Sequence, residues 1–474
     1  MRLDGLLTTG VALALLCGCG TTGAASPSAH AAATTTTTKW PTYHLTAGRT
    51  GNDRKEPSFA AMSHAWTTAA LDGAVYAEPL VFGSNIIVAT EHNSLYSFDA
   101  ASGQQLWHAN LGSPRTTNFP CGNIMPLGIT STPVITGGSL YAVAEVEAPS
   151  GTYRFHLAKV NPTTGAVVYN KDVTPTGFNA STQQQRSALN VSQGNIVVAW
   201  GGLDGDCGTY HGYVETVSAS AGIEVAQWND TTADNEGGIW GASGPAVDSN
   251  GNIYVTTGNG STTDITKYDY SDSVVKLSPS LTPLSFFAPG PPQQWTGLNA
   301  ADSDLGSVGP SLLANGLLFA IGKGGRGYLL NQAQLPGNSN PGGGENVSAQ
   351  VCHQTSGAAF SGMARKSNTV FVPCADGVVD VHIDSATAFH TVWYSTSGSA
   401  APIVAGGLVW TLKMFGGTTL YGLDPKTGAA SVQLTLPATT QHFATPTSGD
   451  GRLFVAAGTV LTAFAPVAAA RAQK

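Results

Sequence analysis

A regular succession of apolar runs and turns is clearest in residues 76–112, YAEPLVFGSNIIVATEHNSLYSFDAASGQQLWHANLG. The apolar runs are short, and Gly, Asn, Asp and Ser separate them. Runs of this kind are typical of β-strands joined by tight turns. The stretch therefore predicts a four-stranded antiparallel meander. One meander leaves apolar surface exposed to water, so we expect similar units to pack beside it.

Both ends of this unit recur along the chain. The opening Pro79 has counterparts at Pro133, Pro245, Pro310, Pro402 and Pro446. The closing turn at residues 99–103 has counterparts at 161–165, 218–222 and 424–428, and a degenerate copy begins at Asp384. From Pro79 to Pro446 the average spacing is roughly fifty residues, which is typical of the four-stranded blades of a β-propeller.

The repeats predict an all-β protein, an eight-bladed β-propeller. The expected blades are residues 72–112, 130–173, 187–230, 240–290, 308–352, 358–396, 399–437 and 443–466. The last blade has only three strands of its own, and residues 63–69 predict the outer strand that would complete it. We therefore expect a ring closed by its N-terminal strand. A seven-bladed ring is the alternative, because the units at 187–230 and 308–352 match the repeat least well.

The N-terminus predicts an export signal. An apolar run at residues 6–16 is too short to span a bilayer but suits a signal sequence. It ends in Leu16-Cys17-Gly18-Cys19, which resembles a bacterial lipobox with Cys19 as the lipidated residue. The alternative is a cleaved signal peptide that contains two cysteines. A lipidated protein would be exported and would touch the membrane or cell envelope only through its lipid.

The sequence therefore divides into four parts. Residues 1–19 are the signal, 20–39 a disordered tether rich in Thr and Ala, 40–466 a single propeller and 467–474 a tail. The net charge is −8 and no basic patch is present, which argues against a nucleic-acid partner. We expect a monomer whose partner is a protein or a polysaccharide.

Four cysteines remain after the signal: Cys121, Cys207, Cys352 and Cys374. An even number in an exported protein favours disulfides, although four cysteines allow three pairings. We favour Cys352 with Cys374, which are close in sequence in neighbouring blades, and Cys121 with Cys207, which would link two insertion loops. The scattered histidines and the absence of a Cys-x-x-Cys motif argue against structural zinc.

Two features resemble the quinoprotein dehydrogenase family. They are the Trp40-x-x-Tyr43 opening and the blades that close on Asp-x-x-(Thr/Ser)-Gly-x-x-x-Trp. The eight-bladed propellers of that family bind pyrroloquinoline quinone (PQQ) and calcium, so these are the cofactors that the resemblance implies. The repeat covers nearly the whole propeller, but it also occurs in non-enzymatic propellers such as the outer-membrane-protein assembly lipoprotein.

Blade four carries the sharpest local resemblance. Residues 236–260 are similar to the family's Gly-Gly-x-x-Trp … Tyr-x-x-x-Gly-Asn-Gly stretch. The resemblance implies that Trp240 is a cofactor-binding residue, an aromatic floor under the quinone, and that Asn259 is a calcium ligand through its amide oxygen. The alternatives are a tryptophan that packs near the propeller axis and a type I′ turn at Asn259-Gly260.

Two later segments complete the implied site. Asp302 and Asp304 resemble the family's pair of acids, in which one aspartate lies near the metal and acts as the general base on an alcohol. Asp302 is our first candidate for that catalytic base and metal-site role, and Asp304 is the second. Lys323 matches the basic residue that contacts the quinone. The alternatives are solvated loop acids and a cation on a hairpin tip.

Several departures weaken the enzymatic interpretation. A single Cys121 stands where the family has a vicinal pair, and Glu145 and Glu147, interpreted as solvated rim-loop acids, do not match the family's calcium-binding glutamate. Asp204 and Asp206 are interpreted as a turn held by a disulfide. The sequence therefore favours a non-enzymatic binding or scaffold lipoprotein. The alternatives are a PQQ- and calcium-dependent alcohol dehydrogenase and a propeller that binds another small ligand.

Overall fold

The computed structural model of the chain describes residues 38–148, 150–230, 234–337 and 341–467. Its regular structure within these ranges is almost entirely β-strand. One short α-helix, Trp295–Ala300, and two 3₁₀ turns, Leu305–Ser307 and Ala314–Gly316, are the described exceptions. The predicted signal with Cys19, most of the tether and all but the first residue of the tail lie outside the described residues.

The strands form eight antiparallel blades in chain order. Blades 1 to 4 consist of Leu80–Phe82, Asn85–Ala89, Ser94–Asp99 and Gln105–Asn110; Val134–Thr136, Ser139–Glu147, Tyr153–Val160 and Val167–Asp172; Asn190–Ser192, Asn195–Gly202, Tyr213–Ser218 and Glu224–Asn229; and Ala246–Val247, Ile253–Thr256, Val274–Leu277 and Pro283–Phe287. Blades 5 to 8 consist of Ser311–Leu312, Leu317–Ala320, Arg326–Asn331 and Val347–Gln350; Ala364–Lys366, Thr369–Cys374, Gly377–Ser385 and Ala388–Ser395; Ile403–Ala405, Leu408–Thr411, Thr419–Leu423 and Ala430–Thr435; and Thr447–Gly449, Arg452–Ala457, Val460–Pro466 and Met62–Thr67. The eight-bladed prediction is confirmed, and the seven-bladed alternative is wrong.

The N-terminal strand closes the ring as expected. Met62–Thr67 pairs antiparallel with Val460–Pro466, with Met62 opposite Pro466 and Thr67 opposite Thr462. Met62 and Trp66 are buried within this otherwise exposed strand. The two ends of the propeller are therefore joined by a complete four-stranded sheet.

Three further short strands extend the blades. Thr38–Trp40 adds to blade 1, Asn52–Asp53 lies parallel to the first strand of blade 7, and Gln183–Gln184 pairs with blade 3. Lys39 also forms an ion pair of 2.6 Å with Asp450. The described fold therefore begins two residues before the predicted domain boundary at residue 40.

The recurring turn works as a docking surface between blades. Tryptophans on outer strands donate through Nε1 to a carbonyl in the turn of the next blade, each over 3.1 Å: Trp66 to Ala100, Trp107 to Pro162 and Trp393 to Pro425. A glycine with φ between 71° and 74° lies against each indole: Gly103, Gly165 and Gly428. A Cβ there would meet the indole ring, so the packing between blades explains why glycine recurs.

Residues 41–51 contact five different blades and therefore run through the centre of the ring. Hydrogen bonds of 2.7–3.1 Å join Pro41 to Ile135 of blade 2, Arg49 to Ala188 and Pro245 at the openings of blades 3 and 4, His44 to Met363 at the opening of blade 6, and Gly51 to Val404 of blade 7. Arg49 and His44 are buried. Burial lowers the pKa of His44 to about 3, so the imidazole is neutral in this core.

Candidate functional site

A cavity of about 560 Å³ lies beside this central segment. Arg186, Trp240, Phe360 and Phe443 line the cavity, and each precedes the opening strand of its blade. Only a few residues further along, the same blades contact residues 41–51, for example through Thr445 and the His44 ring (3.4 Å). Residues 41–51 therefore pack against the same blades close to the cavity, although none of them lines it.

All five residues that the resemblance singled out line this cavity: Trp240, Asn259, Asp302, Asp304 and Lys323. They come from blade 4, from the connection to blade 5 and from blade 5. The expected gathering of these positions is therefore present. Their roles in catalysis and cofactor binding remain predictions.

Lys323 lies between the two aspartates. Its Nζ is 2.6 Å from Oδ1 of Asp302 and also forms an ion pair with Oδ2 of Asp304. Burial lowers the pKa of Lys323, but the negative charges of Asp304 and Asp302 raise it by more. The pKa therefore lies above its ordinary value. Lys323 is therefore an ammonium ion, and it neutralises part of the acidic charge.

Asp304 is the centre of the hydrogen-bond network. Its side chain is only 2% exposed. Oδ1 accepts hydrogen bonds from Trp240 Nε1 at 3.2 Å and from the Asn259 backbone N–H at 2.9 Å, while Oδ2 faces the Lys323 ammonium. Three donors of the protein itself therefore satisfy this carboxylate.

Asn259 takes part in the same network. Its Nδ2 donates over 3.1 Å to Oε2 of Glu236. Burial and the neighbouring acids, first of them Asp206, raise the pKa of Glu236 to about 7. Neither Asn259 nor Gly260 has a positive φ, which a type I′ turn requires at both central positions. The turn interpretation of Asn259-Gly260 is therefore wrong.

Trp240 is half-buried among aromatic and cationic side chains. The ring centroids of Phe360 and Phe443 lie 6.2 Å and 6.4 Å from that of Trp240. Lys323 Nζ and Arg186 Cζ lie 5.5 Å and 5.9 Å from the same centroid. Trp240 thus packs inside the ring of blades and also forms part of the cavity wall.

Four further lining residues were not predicted from the sequence: Arg186, Phe360, Phe415 and Phe443. Arg186 is 8% exposed and donates through Nη2 to Asn123 Oδ1 at 3.2 Å. Their position in the repeat could have indicated them. Arg186, Phe360 and Phe443 each precede the opening strand of a blade, as Trp240 does. This shared position predicts a common cavity only when the blades are known to bring their opening strands together.

Both favoured disulfides are formed, Cys121–Cys207 and Cys352–Cys374. The first joins the loop that carries Asn123 to the loop that carries Asp204 and Asp206, and these three residues line the cavity. Asp206 Oδ1 accepts a 2.6 Å hydrogen bond from Tyr210. The disulfide therefore holds together one wall of the cavity.

Glu145 is not a solvated rim-loop residue, and that interpretation is wrong. It lies in the strand Ser139–Glu147 with its side chain 1% exposed, and it forms an ion pair of 3.4 Å with buried Arg115. Burial raises the pKa of Glu145 well above its usual value, against the opposing effect of Arg115. Glu145 therefore belongs to the interior of the propeller, while Glu147 ends the same strand half-buried.

The donor set does not fit calcium. Calcium takes six to eight oxygen ligands, usually with several carboxylates. Here the Asp304 oxygens are occupied by protein donors, and an ammonium already lies between the two acids. Among the described residues, no group of three or more His, Cys, Asp and Glu side chains could hold a metal ion. We therefore derive no metal-dependent step.

Comparisons with known proteins agree with this fold. Residues 62–273 match the family model described as outer membrane protein assembly factor BamB. The structure is similar to quinohemoprotein alcohol dehydrogenase from Comamonas testosteroni, at TM-score 0.67 and 15% identity over 94% of this chain and 84% of that one. It is also similar to a europium-containing methanol dehydrogenase, at TM-score 0.65 and 14% identity over 90% and 98% of the two chains.

A third similar structure is BamB from Moraxella catarrhalis, at TM-score 0.54 and 12% identity over 87% of this chain and 99% of that one. No curated protein matches the sequence. The architecture and the cavity among its converging blades define an eight-bladed β-propeller. Residues 62–273 are similar to the family model of this repeat, and the fold of the chain is similar to that of the PQQ-like propellers.

No helix within the described ranges has the length and apolar character needed to cross a membrane.

Proposed function

We propose that this protein is a non-enzymatic binding propeller, exported and anchored at the cell envelope through Cys19. Its cavity would receive a group of a protein or polysaccharide partner, or a small ligand other than PQQ. The observation that carries the proposal is the engagement of Asp304, whose carboxylate is held by Trp240, Asn259 and Lys323. The residues that would do chemistry in a quinoprotein here stabilise one another.

The position of Asp302 supports the same proposal. A general base must reach the substrate hydroxyl and be free to take its proton. Asp302 is 62% exposed and bound to the Lys323 ammonium at 2.6 Å. Because the Asp302 carboxylate is already paired with an ammonium ion, this arrangement favours binding over proton abstraction.

The similarity to BamB is compatible with a scaffold role, because the matched description is that of an assembly factor. At 12% identity the structural similarity supports the fold alone. The cavity itself supports a binding role, because aromatic side chains and polar groups lie together in it.

A PQQ-dependent alcohol dehydrogenase is the second candidate. One observation favours it: Trp240, Asn259, Asp302 and Lys323, all named by the resemblance, line one cavity. The absence of a vicinal cysteine pair and the poor fit to calcium stand against it. The two candidates predict opposite results with PQQ.

The test is a titration of the purified mature protein with PQQ, with and without calcium, in which isothermal titration calorimetry measures binding. Trp240→Phe is compared with Trp228→Phe, which lies on the outer strand of blade 3. We expect no saturable, calcium-dependent binding. Calcium-dependent binding that is lost in Trp240→Phe and kept in Trp228→Phe would overturn the proposal and support the dehydrogenase.

A further inference from the structure

The cavity contains two cations with different surroundings. Lys323 is paired with Asp302 and Asp304, so its charge is already balanced. Arg186 has no carboxylate within ion-pairing distance among the described residues, and its one hydrogen bond to a side chain goes to the neutral amide of Asn123. Arg186 is therefore the cation whose charge an incoming ligand could balance.

Burial makes this arrangement costly without a ligand. Arg186 is 8% exposed, and its buried Nε has no acceptor among the described residues. A guanidinium keeps its charge in a protein and offers five N–H donors in a planar fork. The rings of Trp240 and Phe443 lie 5.9 Å and 5.7 Å from Arg186 Cζ. Their faces attract the cation but accept no strong hydrogen bond.

An aromatic wall adjoins this guanidinium. The ring of Phe443 is stacked on Phe360 at 5.5 Å, and Phe415 lies 5.6 Å from Phe360 and 6.2 Å from Phe443. Phe415 is 64% exposed although it lines the cavity. An exposed phenylalanine beside a buried cation favours a ligand with an apolar body and an anionic end.

The remaining charges limit how negative that ligand can be. Four aspartates, Asp204, Asp206, Asp302 and Asp304, line the same cavity. Burial and then Arg186 lower the pKa of His442 to about 4, so His442 adds no positive charge near neutral pH. One guanidinium among several acids suits a planar monoanion, which it can bind through two parallel hydrogen bonds.

We infer that Arg186 is the anion-recognition residue of the cavity and that the ligand is an organic carboxylate with an apolar body. The carboxylate pairs with the guanidinium, and the apolar body packs on Phe360 and Phe415. This inference rests on the proposed binding function, because it names the ligand class of the same cavity. It assigns no binding role to Lys323.

The test compares three probes of one shape on the full mature protein by calorimetry: 2-naphthoate, its neutral amide 2-naphthamide, and the cationic 2-naphthyltrimethylammonium. Charge-assisted hydrogen bonds to a buried arginine should make naphthoate bind about tenfold more tightly than naphthamide. Arg186→Gln should abolish this preference. The matched control is Arg326→Gln, which lies in blade 5 and bonds to Ser348.

Phe415→Ala provides a second variant that does not depend on a buried residue. Because Phe415 is largely exposed, the change should leave the fold intact and weaken naphthoate and naphthamide alike. Equal binding of amide and carboxylate, or a preference that survives in Arg186→Gln, would overturn the inference and leave the cavity as a binding site. Failure of all three probes to bind the folded protein would also overturn it. The PQQ titration separately decides the proposed function.

Discussion

The indole Nε1 of Trp240 donates a hydrogen bond of 3.2 Å to Oδ1 of Asp304. This bond connects the aromatic wall of the cavity to its acidic pair, and Lys323 completes the connection from the other oxygen. A cavity built in this way is stabilised by its own side chains. Substitutions therefore distinguish side chains that stabilise the fold from side chains that are free to bind a ligand.

Replacing Lys323 with methionine should destabilise the protein. Asp304 is 2% exposed and would lose its ammonium partner, at a cost of about 2–4 kcal/mol in the free energy of unfolding. Urea unfolding measures this change. The control is Asp302→Asn, which should cost less than about 1 kcal/mol because Asp302 is largely hydrated. Equal losses in the two variants would contradict the network described.

The two disulfides should differ in what they protect. Replacing Cys121 and Cys207 with serine should weaken naphthoate binding, because this disulfide holds the loops that carry Asn123 and Asp204. The Cys352→Ser, Cys374→Ser pair should keep more of the affinity, since the loop that it closes carries only Phe360 of the cavity lining. Each pair should lower the free energy of unfolding by about 3–5 kcal/mol. Calorimetry and urea unfolding distinguish these outcomes, and unchanged affinity in the first pair would contradict the assignment.

Glu91 should make stability depend on pH. It is buried within range of the charges of Arg186 and Glu145, and its Oε2 accepts a 2.7 Å hydrogen bond from the Gly128 N–H. Burial raises its pKa from 4.5 to about 7. Between these values the folded state binds more protons than the unfolded state, so the free energy of unfolding falls as pH rises.

Glu91→Gln removes this titration and keeps an acceptor for Gly128. The difference in free energy of unfolding between the variant and the wild type should therefore favour the variant more at pH 8 than at pH 5. Urea unfolding at both pH values measures this difference. The same advantage at the two pH values would show that Glu91 does not titrate in this window.

The turn glycines should be intolerant of a side chain wherever a tryptophan covers them. Gly165 has φ +74°, and a Cβ there would lie 2.7 Å from the Trp107 ring. Gly194 has φ +82° but no atom within 4 Å of its Cβ position. Gly194→Ala should cost about 1 kcal/mol from backbone strain alone, and Gly165→Ala about 3 kcal/mol because the indole must also move. Thermal unfolding of both variants tests the difference.

The sequence predicted the blades well because their signals are local. A proline, a glycine turn and an aromatic residue repeat within each unit, and the contact of Gly165 with Trp107 shows why the turn glycine is needed. Even the closing strand was visible, since residues 63–69 had the pattern of a missing outer strand. Only its first and last residues differ, as the strand is Met62–Thr67.

The cavity was less predictable, because its contacts join distant parts of the chain. The resemblance identified Trp240, Asn259, Asp302 and Lys323. It did not show that these residues form hydrogen bonds and ion pairs within one network. Arg186 was missed, since its environment comes from Trp240 and Phe443, which lie on other blades. Glu145 was placed on the surface because its partner, Arg115, lies in an insertion without a repeat signal.

The joint between Met62–Thr67 and Val460–Pro466 links residues almost four hundred positions apart, as in the hydrogen bond between Thr67 and Thr462, 395 residues away. Because a chain is synthesised from its N-terminus, Met62–Thr67 exists long before its partner, and the joint forms only once Val460–Pro466 is complete. Until then the strand Met62–Thr67 lacks its partner in the eighth blade, and an unpaired strand edge is a template for pairing with another strand. Two chains side by side could therefore exchange the segments that carry Met62–Thr67, and that exchange would yield a swapped dimer of two complete rings.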